Sequence, residues 1–459
     1  MRQKNFALAL LTAAALAACG GTGSSGGDQS HPITFSQQVT FGDSLSDVGT
    51  YNVGAVKVAG GGKFTINGSE TSKDPALTGL NWTEVLAAEL RLPAPCAAQT
   101  GLEGTNNDAN PAADFFVPIV NNANCFNYAQ GGARVSNPIG PGNKVVKPEL
   151  GEMTVPVKTQ VATHLAKVGG KFSGTELVTI MAGGNDVLMQ LATLSANATA
   201  AGNTAGQQAF ATSLVSGLAA HNTTNPTGAA QAIGRAVQIE AARTGSTSTT
   251  IVQAAVGAAV GAGDTAVASP AVYGPIVATA QAAATTAGAQ AGAQYAATNG
   301  PALVAELGKA GAELAAMVKT ELVGKGAKYV IVNNLPDVAS TPSGRSQAAS
   351  TQELIKAMVN TFNAQLKAGL GESPNILYVD LYTVSNDQVN NPRSKEIYGL
   401  TNVTTKACGD INSLLCTTRN TIQGDVSHYM FADDIHPTPY EYWLVARYVL
   451  KDMAVKGWL

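Results

Sequence analysis

Charge is scarce in this sequence. Only 13% of its 459 residues are Asp, Glu, Lys or Arg, and the two signs nearly cancel at a net charge of −3. A surface that binds phosphates needs clustered Lys and Arg, so no nucleic-acid partner is expected. Aromatic residues are sparse as well, and Ala, Gly and Thr dominate in their place. Several signatures are missing. There is no H-E-x-x-H, no G-x-x-x-x-G-K-[ST] and no CxxC pair, which leaves little case for a zinc peptidase, a P-loop site or a structural zinc. No metal or organic cofactor is expected. Two motifs do match, and both fail on context. Gly23-Ser24-Ser25-Gly26-Gly27 fits G-x-S-x-G, and Gly21 to Gly26 fits G-x-G-x-x-G. Neither follows a strand or opens a helix, so both are set aside.

The N-terminus reads as a targeting segment. Arg2 and Lys4 precede an apolar run, Phe6 to Ala18, that is too short to span a bilayer comfortably. The run ends in Leu16-Ala17-Ala18-Cys19, which resembles a bacterial lipobox: residues 1–18 would be the signal and the Cys19 thiol would be acylated. Gly20 rather than Asp after it favours the outer membrane. An ordinary secretory signal with a chance Cys is the competing reading, and it gives a secreted protein. Residues 19–34 form a Gly/Ser-rich flexible tether. Export puts Cys96, Cys125, Cys408 and Cys416 in an oxidising compartment. Of the three possible pairings, Cys96 with Cys125 and Cys408 with Cys416 is preferred, because each closes a loop rich in Asn, Gly and Pro.

Residues 35–459 alternate strand-like and helical stretches. Val39 to Phe41, Leu177 to Met181, Tyr329 to Val332 and Ile376 to Val379 are short apolar runs, as in buried parallel strands. Helical spacing is found at Asn81 to Leu90, Leu303 to Leu322, Gln352 to Leu366 and Tyr440 to Met453. The pattern predicts an α/β fold with a parallel sheet covered on both faces. From about 190 to 300 charge almost disappears and no fixed repeat emerges. Helical spacing at Phe210, Leu214, Val215 and Leu218, and at Ile251, Val252, Val256 and Val260, points to a helical insertion. Low-complexity filler is the alternative.

Four short blocks carry chemistry. Phe41-Gly42-Asp43-Ser44-Leu45-Ser46-Asp47 follows the first strand, where Ser44 can stand on a tight turn at the sheet's carboxyl edge. A Ser hydroxyl needs a base. Asp433-Asp434-Ile435-His436-Pro437-Thr438 supplies one, and Asp433, three residues ahead, can turn back to the His436 Nδ1. Asp434 remains the alternative partner. An acyl-transfer site also needs oxyanion donors. Asn127 to Ala133 offers a Gly131-Gly132 backbone, and Gly183-Gly184-Asn185-Asp186 offers an amide side chain. Taken singly, each block has a structural explanation, such as a turn or a helix cap. His164 reads as a helix-surface residue and His428 as a loop residue.

Together and in this order, the blocks resemble the GDSL (SGNH) hydrolase family, in its bacterial lipoprotein branch. The resemblance implies a three-layer α/β/α core like that of flavodoxin. It makes Ser44 the nucleophile and first oxyanion donor, Gly132 and Asn185 the other two donors, His436 the base and Asp433 its orienter. The expected activity is carboxylic-ester hydrolysis, as an esterase or lipase, through an acyl-enzyme. The low-charge insertion could wall the site and hold an acyl chain, which points to a lipophilic ester as substrate, and the membrane contact would be the lipid anchor. An acyltransferase using the same acyl-enzyme, or a catalytically silent surface lipoprotein, are the alternatives.

Overall fold

The computed structural model describes residues 33–105 and 115–459. The signal segment, Cys19 and nearly all of the tether lie outside the described residues.

Four parallel strands form the central sheet: β1 (Gln38–Gly42), β2 (Leu177–Met181), β3 (Tyr329–Asn333) and β4 (Ile376–Val379), in spatial order β1-β2-β3-β4. Their side chains alternate between two covered faces. On one face Val39, Phe41, Val178, Ile180, Val330 and Val332 are buried. They meet α2 (Val157–Lys167), the end of α6 (Pro270–Met317) and α7 (Ala349–Leu370), whose apolar stripes include Val161, Leu314 and Phe362. On the other face Met181, Ile331, Leu377 and Val379 pack against α1 (Trp82–Glu89) and α8 (Pro439–Lys456). The result is the expected three-layer α/β/α core. Each new strand is added on the same side of the last, so the crossovers through α2, α6 and α7 all lie on one face.

A fifth, vestigial strand completes the likeness to flavodoxin. Phe126 O accepts from Thr40 N–H at 3.0 Å and Thr40 O accepts from Tyr128 N–H at 2.8 Å, on the outer edge of β1. The chain thus leaves β1 in one direction to reach Phe126–Tyr128, and in the other to reach β2. That reversal is a topological switch point, where open α/β sheets hold ligands in a crevice at the strands' carboxyl ends.

Both preferred disulfides are present: Cys96–Cys125 beside the vestigial strand, and Cys408–Cys416. The long low-charge stretch is helical. The helix α3 (Gly184–His221) starts immediately after β2, followed by α4 (Pro226–Ala241), α5 (Ser248–Gly261) and the 48-residue α6. The amphipathic stretch Leu303 to Leu322 is therefore not a helix of its own. It is the core-facing end of α6 and the π-helical turn after it, and the helix runs through Pro275 and Pro301. Among the described residues no helix is long and apolar enough to cross a membrane.

Candidate active site

The serine block turns sharply where β1 ends. A side chain on Gly42 would bring its Cβ to 2.5 Å from Met181 O, so only glycine lets the two strand ends run this close. Ser46 N–H then donates to Asp43 O at 3.0 Å, and Leu45 N–H donates to the Asp43 carboxylate at 3.1 Å. This small turn presents Ser44 at the sheet's edge. Asp47 binds the block to its neighbour, accepting from Thr50 N–H at 2.7 Å and from Gly131 N–H at 2.9 Å.

The C-terminal block is folded as a closed loop. Ala432 N–H donates to His436 O at 2.8 Å and Thr438 N–H to Met430 O at 3.0 Å. Thr438 then caps α8, with Pro439 in its first turn. The loop delivers His436 Nε2 to 2.9 Å from Ser44 Oγ, across 392 residues of sequence. Both Asp433 oxygens lie 2.9 Å from His436 Nδ1. Asp433 also accepts from the N–H groups of Ile435, His436 and Ser413, at 3.0, 2.8 and 3.0 Å. Asp434 faces outward and pairs with Lys406, so of the two aspartates it is Asp433 that meets the His436 ring.

Burial alone would raise the Asp433 carboxyl. The His436 ring and the donors just named outweigh it and hold Asp433 well below the usual carboxylate range. For His436 burial pulls the imidazole down, but the Asp433 charge reverses this, with Asp43 and Glu152 adding to it, and the net shift is upward. Phe64 lies against the ring, 5.0 Å between centroids.

Ser44, Gly132, Asn185 and His436 all line one cavity of about 210 Å³. Gly131 and Gly132 are not equivalent. The Gly131 N–H is taken by Asp47, whereas neither Ser44 N–H nor Gly132 N–H has an acceptor among the described residues. Gly132 sits at φ +77°, and a Cβ there would lie 2.6 Å from Thr154 Cγ2. Asn185 is in the first turn of α3, at the positive end of its dipole. One of its two amide hydrogens goes to Ala133 O at 2.8 Å, leaving the other for the cavity. Its neighbour Asp186 accepts from Val135 N–H at 3.0 Å and from Arg134 Nε at 2.9 Å. Residues 133–135 are thereby tied to the N-terminus of α3.

Three features were not among the sequence expectations. Ser413 donates its N–H to Asp433, and its Oγ lies 3.1 Å from His436 Nδ1. It has no block around it, and its only signal is its place inside the Cys408–Cys416 loop. Glu152 lines the cavity beside Gly132, buried and without a side-chain hydrogen bond among the described residues, and burial pushes its carboxyl up to about 7. The third is a correction. His164 is not on a helix surface but fully buried, 3.2 Å from the Tyr128 hydroxyl and edge-on or tilted against Phe41, Phe126 and Phe172. It lies on the core-facing stripe of α2, in register with Gln160 and Val161, so its ring serves as an aromatic core residue. His428 is a loop residue stacked on Tyr440. Among the described residues no group of His, Cys, Asp or Glu is arranged to hold a metal ion.

A sequence model of the family described as GDSL-like Lipase/Acylhydrolase matches residues 220–449, about half of the chain. The match includes Asp433 and His436 and begins beyond Ser44, Gly132 and Asn185. A GDSL esterase/lipase of Arabidopsis thaliana is 29% identical over 141 residues, which cover 28% of this chain and 38% of the plant protein. The similarity thus spans well under half of that relative's length.

Proposed function

The chain belongs to the GDSL-like lipase/acylhydrolase family, and on that premise we propose that it is a carboxylic-ester hydrolase working through an acyl-enzyme on Ser44. The observation that carries the reading is the continuous relay Ser44 Oγ–His436 Nε2–Asp433, with both links at 2.9 Å. In the proposed cycle Ser44 Oγ attacks the ester carbonyl while His436 takes its proton. Asp433 fixes the imidazole tautomer and stabilises the imidazolium, remaining ionised itself. The N–H groups of Ser44 and Gly132 and the Asn185 amide receive the oxyanion. His436 then returns the proton to the leaving alcohol and activates water to release the acid.

The test is chemical labelling with turnover. Wild type is expected to react with a fluorophosphonate probe and to hydrolyse p-nitrophenyl esters. Ser44→Ala should lose the label and at least roughly 10⁴-fold in kcat, as should turnover in His436→Ala, because such residues act as a unit. Wild-type turnover by a folded Ser44→Ala protein would refute the reading.

We also propose that the enzyme is held at the outer membrane through acyl chains on Cys19. The lipobox-like Leu16-Ala17-Ala18-Cys19 and the Gly/Ser-rich stretch after it support this. Cys19→Ser should move the protein to the soluble fraction. If the variant stays with membranes after a salt wash, the anchor lies elsewhere.

A further inference from the structure

The Ser44 cavity does not end at Ser44. It shares Leu188, Val338, Thr341 and Ile435 with a neighbouring groove of about 950 Å³. One wall is α3, with Leu188 and Leu191 at the serine end. The opposite wall is the segment around Val338 and Gly344 together with Ile355 of α7. The floor is the seam between α3 and α6. There the two helices approach so closely that a Cβ on Gly202 would lie 2.8 Å from Gly288 O, and one on Gly292 3.2 Å from Ala198 O. Gly202, Gly206, Gly288 and Gly292 add no bulk to that seam, and a trough remains above it.

We propose that this groove, built by the low-charge helices, takes the long acyl chain of the substrate ester. The proposal rests on the ester-hydrolase reading above and adds the substrate class and where it lies. Three observations select this occupant. The groove adjoins the cavity that holds Ser44 along those four shared residues, so a chain that crosses them is joined to the reacting carbonyl. None of its lining residues is ionisable, and none is aromatic. A charged polymer would find no counter-charge there, and a ring-shaped group no stacking partner. The groove is also long enough to take such a chain whole. Its lining on α3 runs from Leu188 to Gln207, roughly 28 Å at the helical rise. An acyl chain in one leaflet spans about half of a hydrocarbon core some 30 Å thick. The other apolar chamber near Ser44, between Leu45, Trp82 and Tyr442, holds only about 60 Å³, space for a few waters. Of these two spaces beside Ser44, only the groove has room for a long chain.

The experiment plugs the trough without touching the chemistry. Thr199 and Ala289 line it and are exposed, one on each helix. Thr199→Trp and Ala289→Trp, made in the full chain, are compared with Gln290→Trp, an exposed neighbour outside the lining. The readout is kcat/KM for p-nitrophenyl butyrate and palmitate. Either plug is expected to lower palmitate turnover at least tenfold, the effect of losing two methylene contacts at about fourfold each. Butyrate turnover should stay within about twofold, and Gln290→Trp should change neither. Plugged variants that hydrolyse palmitate as well as wild type, or that lose both esters equally, overturn the groove and leave the ester-hydrolase reading standing. A wild-type protein that hydrolyses neither ester and takes no fluorophosphonate label brings down the underlying reading, and the groove with it.

Discussion

At the residue scale the site sorts its acids by surroundings. Asp433, satisfied by three backbone donors and the His436 ring, is held low. Asp43 and Glu152, buried with less compensation, are each pushed up to about 7. Groups driven apart in this way take different tasks. In the proposed cycle His436 must be neutral to take the proton, and its pKa is shifted upward. The kcat/KM of the free enzyme should therefore rise with pH through a midpoint above the usual imidazole value of about 6.5. Asp433 and then Asp43 and Glu152 raise that midpoint by favouring the imidazolium. Removing a negative charge must lower it. Glu152→Gln is expected to move the acid limb of the pH–rate profile to lower pH, and a limb that stays put or moves up would contradict the assignment. Asp433→Asn should move it further and cost roughly 10⁴-fold in kcat, the scale for losing the orienting carboxylate of such a triad. Ser44, Asp433, His436 and Asn185 were legible in the sequence because each stands in a compact block whose neighbours build the local turn. Ser413 and Glu152 were not, and Asp47 stood in the serine block with no role read from it. What gives them meaning is a partner tens of residues away: Asp433 for Ser413, Gly131 for Asp47, the cavity wall at Gly132 for Glu152.

At the scale of elements, the sheet was readable and the insertion only partly so. Runs such as LVTIM and YVIV are almost wholly apolar because both faces of the sheet are covered. The helices α3 and α6 carry little apolar periodicity, since Ala, Gly and Thr pack seam against seam instead of filling a core. Pro301 also looks like a stop signal to a reader of sequence, although the helix passes through it. The closest link between element and site is the Cys408–Cys416 loop. The disulfide spans a sequence separation of 8 residues around Ser413, and Cys408 N–H donates to Ala432 O, next to Asp433. Opening it frees the segment that fixes Asp433 and braces His436. The double variant Cys408→Ser/Cys416→Ser is expected to lose about 2–3 kcal/mol of stability by the loop-entropy argument, seen as a lower Tm. It should also lose kcat at temperatures well below that Tm. The second effect is the informative one. A lower Tm with unchanged kcat would mean that Ser413 holds its position without the bridge.

At the scale of the whole molecule, the low-charge stretch is two structures. Its near half, α3 to about Gln207 and α6 from about Ala284, forms the floor of the groove beside Ser44. Its far half packs on itself. Leu214 and Leu218 of α3, Ile233 and Val237 of α4, Ala255 and Ala259 of α5 and Ala280 of α6 form one buried cluster that includes no residue of the central sheet. A cluster with its own core is a unit that can open or be removed on its own. The two halves therefore predict different deletions. Joining His221 to Pro270 by a short Gly/Ser linker removes α4 and α5 and keeps every groove-lining residue. Leu214 and Leu218, bared by the cut, are replaced by Gln to keep the ends soluble. This variant should keep the wild-type ratio of palmitate to butyrate turnover. A larger deletion across 197–299 takes the trough away and should lower that ratio, while butyrate hydrolysis continues at the intact Ser44–His436–Asp433 relay. The ratio is the right measure because a general loss of folded enzyme cancels from it. If the small deletion already lowers it, the far cluster reaches the acyl chain and must close over the groove. If neither deletion changes it in soluble protein, chain-length preference is set within the 210 Å³ cavity at Ser44 and the long helices serve something other than substrate.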